Sequence, residues 1–415
     1  MTKESRNMDV NRRNFLRGAA VGAAGTAITG AALVKGAEVD AHAAAVAVPP
    51  SRYPFHGVHQ SGILVPPPAE KQNFACHVAF DVTSKNKDAV VAAFKTLTTR
   101  ARFLCDGGTP PDLGIGEPPA DSAVLGPVVE SDGLTVTVAV GSSLFDRRFG
   151  LADRKPAKLK PMTVFPNDFP EAAWSHGDLL VQLCAHNPDT VHHALRDITR
   201  AVRGDLQMRW RIEGYNSPPR PSGTGRNLLG FKDGTANPVS DDAEKLVWTG
   251  DGEPAWTAGG TYMVVRLIRM MVEFWDRVSI NEQERMFGRR RDSGAPLDGN
   301  NEFDTPNYAA DADGKTIPLD AHIRLANPRT GDTDNQRLVR RSYNYDLGVD
   351  ANGNMQSGHV FVCYQQDLER QFETVQNRLN DEPLIDYVQP FGGGYFFALP
   401  GIVDEKDWYG RALLG

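Results

Sequence analysis

Asp233 and His322 are the two side chains around which this sequence gathers reactive groups. Asp233 sits in Gly230-Phe231-Lys232-Asp233-Gly234-Thr235-Ala236-Asn237-Pro238, where two glycines frame one carboxylate and a proline ends the run. Glycine lets the backbone come close to a ligand, so such a loop aims Asp233 at whatever is bound. The alternative is a surface turn capped by Asp233. His322 sits in Asp320-Ala321-His322-Ile323-Arg324-Leu325-Ala326-Asn327-Pro328-Arg329, with Arg337, Arg340 and Arg341 soon after. A histidine among apolar neighbours suits a metal ligand or a buried core position. The five arginines around it need an anionic partner in a chain whose net charge is −7. Bound carboxylates would meet that need. A solvated loop is the other reading, and it is the default for Arg341.

Other polar groups are weaker candidates. His56 and His59 have metal-ligand spacing, but no third ligand stands close in sequence, so they read as structural. His192 and His193 fall on different sides of a helix and read as surface residues. Four cysteines without a CxxC pair make neither a disulfide framework nor a zinc site. Tyr343, Tyr345, Tyr395, Trp408 and Tyr409 read first as packing, with electron relay as the alternative.

These groups need a scaffold, and its elements repeat. Apolar residues alternate over 73–82, which predicts a strand, and residues 87–104 have helical spacing. Strands over 134–140 and 178–185 follow, then a helix with Val191, Ala194, Leu195 and Ile198 on one face, its start capped by Asp189 or Thr190. Met208, Trp210 and Ile212 make a fourth strand. The order is β-α-β-β-α-β, the ferredoxin-like arrangement. A similar order follows residue 220: a strand over 262–269, helical character over 270–287, a strand over 359–364, a helix over 366–379 and a strand over 395–399. Its second strand is not evident, and 288–357 reads as a long polar insertion. Residues 216–226, with three prolines and two glycines, read as a linker. The fold class is α+β, with two antiparallel sheets carrying peripheral helices.

The chain opens with an export signal. Arg12-Arg13, then Phe15-Leu16, then an apolar run from Gly18 to Val34 and a small-residue cut site at Ala41-His42-Ala43 mark the twin-arginine type, over residues 1–43. The run is weakly apolar for a span of about 20 residues, so no stable membrane span remains after cleavage. The mature chain carries a charge of about −9, which leaves no basic surplus for nucleic acid. A composition 40% hydrophobic and 23% charged is that of a folded chain, not a disordered one.

The Gly230-x-x-Asp233-Gly234 loop, His322, the later Arg340 and the stretch Tyr53-Pro54-Phe55-His56-Gly57-Val58-His59-Gln60-Ser61-Gly62-Ile63 together resemble the dye-decolourising peroxidase family. Within it the likeness is to the exported deferrochelatase/peroxidase branch associated with ferrous-iron uptake. The resemblance implies two ferredoxin-like domains of the dimeric α+β barrel type, residues 44–220 and 221–415, the second holding one haem b per chain. It implies His322 as axial ligand of the haem iron with a carboxylate behind it; Asp386, in Leu384-Ile385-Asp386-Tyr387, is the candidate, an ordinary hydrogen-bonded or exposed aspartate being the alternative. Asp233 would be the distal acid/base and Arg340 the group that stabilises charge as the O–O bond breaks. Gly234, Thr235, Ala236, Asn327, Pro328, Arg329 and Arg340 would contact the haem. The implied reaction is oxidation of organic donors by hydrogen peroxide, with a second activity that removes iron from haem and leaves the porphyrin intact. A periplasmic or secreted homodimer or larger assembly, associated with a ferrous-iron uptake system, goes with it. The alternative is a non-catalytic exported haem-binding or haem-delivery protein, which needs His322 but neither Asp233 nor Arg340. A copper or zinc oxidoreductase is a third class.

Overall fold

Alternating side chains give each strand two faces, one toward helices and one toward a closed interior. The structure, a computed structural model, describes residues 53–66 and 70–415, so the export signal lies outside the described residues. The first half contains β1 (Phe74–Val82), α1 (Lys87–Asp106), β2 (Thr135–Gly141), β3 (Leu179–Ala185), α2 (Pro188–Ala201) and β4 (Leu206–Tyr215). Its strands lie in the antiparallel order β2-β3-β1-β4. The second half has β5 (Thr261–Met270), β6 (Val339–Arg340), β7 (Tyr343–Val349), β8 (Met355–Gln365) and β9 (Val388–Ala398). It repeats the same order as β9-β5-β8-β7. The halves join where β2 pairs with β9 and β4 with β7, so eight strands close into an antiparallel barrel.

The two faces of β1 show how the layers divide. Cys76, Val78, Phe80 and Val82 pack outward with Val90, Phe94 and Leu97 of α1 and Val191, Leu195 and Ile198 of α2. Ala79 faces inward with Ala139, Leu180, Val265, Val360, Val362 and Phe396 from the other strands. Helix α1 starts where the Asn86 side chain accepts from Ala89 N at 2.9 Å. Helix α2 starts at Pro188 after Asn187, and neither Asp189 nor Thr190 caps it.

The second half departs from the predicted elements in three places. Its missing strand is β6 and β7, which pair with β8 on either side of Arg341-Ser342. That break, together with the exposed end of β7, hides the alternation from the sequence. The helical segment over 270–287 is two helices, α4 (Val272–Trp275) and α5 (Ile280–Phe287), because Ser279 caps a new start by accepting from Glu282 N at 3.3 Å. The helix over 366–379 begins as a π-helical turn at Leu368–Glu373 before α7 (Thr374–Arg378). The long polar stretch carries α6 (His322–Ala326) as well; here α3 is Ser240–Val247.

Arg341 is not solvated. It is buried and donates to Gly62 O at 2.7 Å and Leu64 O at 2.8 Å, and also to Gln72 Oε1, clamping the segment that leads into β1. His193 is buried too, with Nε2 2.7 Å from Asp121 Oδ2, while His192 is exposed. Both residues sit where a neighbouring carboxylate or carbonyl compensates burial.

Candidate active site

Asp233 hangs from a loop that two glycines and two asparagines shape. Gly230 (φ +88°) and Gly234 (φ +95°) lie in the left-handed region, which side-chain-bearing residues rarely adopt. Asn227 O accepts from Gly230 N at 3.0 Å, and Asn227 Oδ1 accepts from Phe231 N at 3.1 Å. Asn237 then ties the loop to β6. Its Nδ2 donates to Arg340 O at 2.9 Å and its Oδ1 accepts from Arg340 N at 2.8 Å. Beneath the loop lies a buried ion pair, Lys232 Nζ to Glu302 Oε2 at 3.4 Å. Glu302 also accepts from Thr224 N at 3.0 Å and Thr235 Oγ1 at 3.1 Å, so no charge there is left unanswered.

The alternation that turns Val339, Val360 and Val362 inward turns Arg340 and His359 outward, toward this loop. Each Asp233 oxygen meets a different nitrogen. Arg340 Nη1 is 3.4 Å from Oδ1, and His359 Nε2 is 3.2 Å from Oδ2. Burial pushes the Asp233 carboxyl up, but His359, Arg340 and Lys71 outweigh it and hold it well below the usual carboxylate range. The group is therefore ionised at neutral pH, with a lone pair open to a proton.

His322 opens α6. Its Nδ1 is 2.7 Å from Glu382 Oε2. Donation of the Nδ1 proton to that carboxylate leaves Nε2 as a lone pair, with no hydrogen-bond partner among the described residues. Burial disfavours the charged ring, but Glu382 outweighs it and raises the imidazole above its ordinary value. The carboxylate behind His322 is thus Glu382, and not Asp386. Glu382 is buried at the start of a 3₁₀ turn, Pro383–Tyr387. Such a turn aligns every third residue, so Asp386, four residues on, falls on another face and is exposed.

One aromatic cluster supports both groups. Phe231, beside Asp233, stacks on Phe287 at 4.0 Å, and Phe287 lies 5.9 Å from the His322 ring. Arg378 holds the far end of α6 by donating to Leu325 O at 2.8 Å and Ala326 O at 3.3 Å. Gly288 ends α5 at φ +81°, and a Cβ there would lie 2.8 Å from Ile323 Cγ1. Gly288→Ala is therefore expected to cost about 1–3 kcal/mol from the strained φ, with further loss as α6 shifts. Thermal unfolding checks it; an unchanged Tm refutes it.

A cavity of 700 Å³ lies beside these elements, lined by Thr235, Ala236, Arg289, Asn327, Arg329 and Arg337 among others. That volume is in the range of small-molecule sites, about 300–1,000 Å³. Arg337 is paired, with Nε 2.8 Å from Asp334 Oδ1, and Arg289 donates to Gly294 O at 2.6 Å and Glu302 O at 2.8 Å. Arg329 lines the cavity without a carboxylate partner among the described residues. A smaller cavity of 370 Å³ lies between Asp81, Arg148, Asp178 and Arg209. Its charges answer each other, Arg148 to Asp178 at 2.9 Å and Arg209 to Asp81 at 3.2 Å, so it has little left for a ligand.

The structure thus brings Asp233 and Arg340 into contact and sets Thr235, Ala236, Asn327 and Arg329 around one cavity, with Gly234 and Pro328 next to them in sequence. The Arg340 and Asp233 charges both act on His322. His56 and His59 go separate ways, the first 3.1 Å from Glu405 Oε1, the second stacked on Trp248 at 3.6 Å. Sequence reasoning missed His359, Glu382 and Arg289. His359 is visible as the first residue of a predicted strand, but its facing partner is not. Arg289 sits in a run of three arginines that reads as solvated.

The model of the Dyp-type peroxidase N-terminal domain matches residues 60–216, and that of the C-terminal domain matches residues 224–403. The chain belongs to the DyP-type peroxidase family. Among members of this family, the protein of Escherichia coli (strain K12) called deferrochelatase is 51% identical over 373 residues, 88% of this chain and 87% of its own. The deferrochelatase of Yersinia pestis is 49% identical over 372 residues, 88% and 85% of the two chains. The solved DyP-type peroxidase from Cellulomonas bogoriensis superposes with a TM-score of 0.77 at 36% identity, covering 87% of this chain and 97% of its own. Ferric DtpA from Streptomyces lividans gives 0.77 at 32%, with 89% and 98% covered. These DyP-type neighbours share the paired ferredoxin-like barrel described above. A twin-arginine translocation signal matches residues 9–29, and no helix among the described residues is long and apolar enough to cross a membrane.

Proposed function

We propose that this chain is a haem peroxidase, with one haem b per chain bound through His322, that oxidises organic donors with hydrogen peroxide and also releases iron from haem with the porphyrin intact. The observation that carries the reading is the 2.7 Å contact of His322 Nδ1 with Glu382, which leaves Nε2 free. A fixed and basic imidazole is the donor that haem iron takes. Arg329, at the cavity without a carboxylate of its own, suits a propionate in a bidentate pair. Gly234, Thr235, Ala236, Asn327 and Pro328 supply contacts around the ring. Bound haem would supply the electrons that split the O–O bond.

The chain's own residues handle the proton and the charge. Asp233, already ionised, takes the proton from the inner oxygen of peroxide and returns it to the outer oxygen, which leaves as water. Arg340 stabilises the negative charge that builds as that oxygen departs. A protein that only carries haem has no use for an ionised carboxylate held between a guanidinium and an imidazole, which favours the enzyme over the haem-delivery reading. Relatives named deferrochelatase, about half identical over most of the chain, support the iron-releasing activity; an association with a ferrous-iron uptake system is part of the proposal. The export signal puts the site in the periplasm or outside the cell; we propose that it works there as a homodimer or larger assembly. The two domains meet at 220/221, within the gap between the two family matches.

The purified protein is expected to show a Soret band, peroxide-dependent bleaching of a dye, and release of free porphyrin when haem is the only substrate. A protein that takes up no haem ends the reading. Glu382→Gln keeps the shape but weakens the polarisation of His322. It is expected to lower haem affinity or peroxide turnover by about 10–100-fold, read by haem titration and steady-state rates.

A further inference from the structure

Tyr308 is half-buried, but its hydroxyl oxygen is buried and completes no hydrogen bond among the described residues. Burial pushes the phenol above its ordinary value, and Arg329, Arg289 and Arg324 each pull against it. Arg324 is fully engaged. Its guanidinium lies 4.9 Å from the centre of the Tyr308 ring. It donates to Ile317 O and Asp311 O, both at 2.9 Å, and meets Asp311 Oδ2 at 3.4 Å. Tyr308 O accepts from Asp311 N at 3.2 Å, so one aspartate fixes both the backbone and the cation over the ring.

Arg289 and Arg329 both line the 700 Å³ cavity. They are like charges close enough to act on each other: burial lowers Arg289, and Arg329 lowers it further. Arg329 is held at φ +58°, uncommon for a residue with a side chain, and Asn327 Oδ1 accepts from its backbone N–H at 3.2 Å. The carboxylates that line the same cavity are occupied elsewhere. Asp304 Oδ2 accepts from Asn300 N and Asn301 N, each at 2.8 Å. Asp242 and Asp334 face Arg337 at 3.5 Å and 2.8 Å. Two cations and a buried O–H without an acceptor therefore call for an anion from outside the chain.

We propose that Tyr308 is a positioning residue for the tetrapyrrole: its oxygen steadies the Arg329 guanidinium, and its O–H joins Arg329 in holding one propionate carboxylate. This role rests on the haem reading above. A phenol donates to a carboxylate in a charge-assisted bond, about twice as strong as a bond between neutral groups. A fixed phenol at the tip of a long arginine also lowers the entropy cost of holding that carboxylate. Loss of iron leaves the carboxylates of the porphyrin in place. Tyr308 thus keeps its grip on the ring while the metal departs.

The test uses holoprotein reconstituted with ferric haem or with ferric haem dimethyl ester, whose carboxylates are blocked. The readout is the rate at which excess apomyoglobin strips each pigment, followed in the Soret region. Tyr308→Phe is expected to speed loss of haem by about 10–100-fold, the range for one hydrogen bond to a charged group. Loss of the ester is expected to stay at the wild-type rate. Arg329→Gln should also speed loss of haem, and adding Tyr308→Phe to it should have a smaller effect than in the wild type, because both groups hold one carboxylate. Unchanged loss of haem in Tyr308→Phe overturns the proposal. Equal acceleration for haem and ester overturns it too, since that marks a loosened fold. Fully additive effects of the two substitutions overturn the pairing with Arg329. Wild-type protein that loses haem as fast as the ester overturns it while sparing His322 as the iron ligand. Wild-type protein without a Soret band sinks the haem reading itself.

Discussion

Asp233→Asn is expected to lower the rate constant for reaction with hydrogen peroxide by about 10²–10⁴-fold. That is about 2.7–5.4 kcal/mol of transition-state stabilisation. The amide fills the same space and its oxygen still accepts from Arg340, while it presents an N–H toward His359; the loop keeps its anchors at Asn227 and Asn237. What it loses is an acceptor for the peroxide proton. The exchange should leave the fold almost untouched, because a partly exposed contact of 3.4 Å with Arg340 is worth less than about 1 kcal/mol. Haem content and the resting Soret band should therefore match the wild type, and stopped-flow mixing with peroxide isolates the defect. A rate constant within about threefold of the wild type would place the acid/base elsewhere.

His322→Ala is expected to abolish the wild-type Soret band and reduce peroxide turnover to background. The side chain is 29% exposed and its helix is held from outside, by Arg378 at its carbonyl end and by Ile323 against Gly288. The barrel and α6 should therefore survive, and far-ultraviolet circular dichroism should not change. Free imidazole in the buffer is expected to enter the space left by the ring and restore a Soret band, because Glu382 still waits for an N–H donor. Such rescue separates loss of a ligand from loss of structure. A Soret band that survives unaltered in His322→Ala would mean that another residue binds the iron.

The sequence was most legible where a regular element carries a strong period. The strands and helices of the first half stand within a few residues of their predicted bounds, because one face of each is apolar throughout. The Asp233 loop was legible because two left-handed glycines leave a local mark. The second half hid its second strand because β6 and β7 are interrupted at Arg341-Ser342. Glu382 and His359 were illegible for another reason. Each acts on a residue more than fifty positions away, and contact across such a distance leaves no spacing to read. Arg341 shows the same limit, since its carbonyl partners Gly62 and Leu64 lie in the first half.

The last strand has two neighbours that come from different halves, β5 on one side and β2 on the other. Until Val388–Ala398 leaves the ribosome, both of those neighbours keep an open row of amides and carbonyls. Newly made chains must therefore pass through a sticky, unsealed stage that ends only once this strand has been made. A chain that stops short of Val388 leaves two unpaired strand edges, one on β5 and one on β2, in place of a closed barrel.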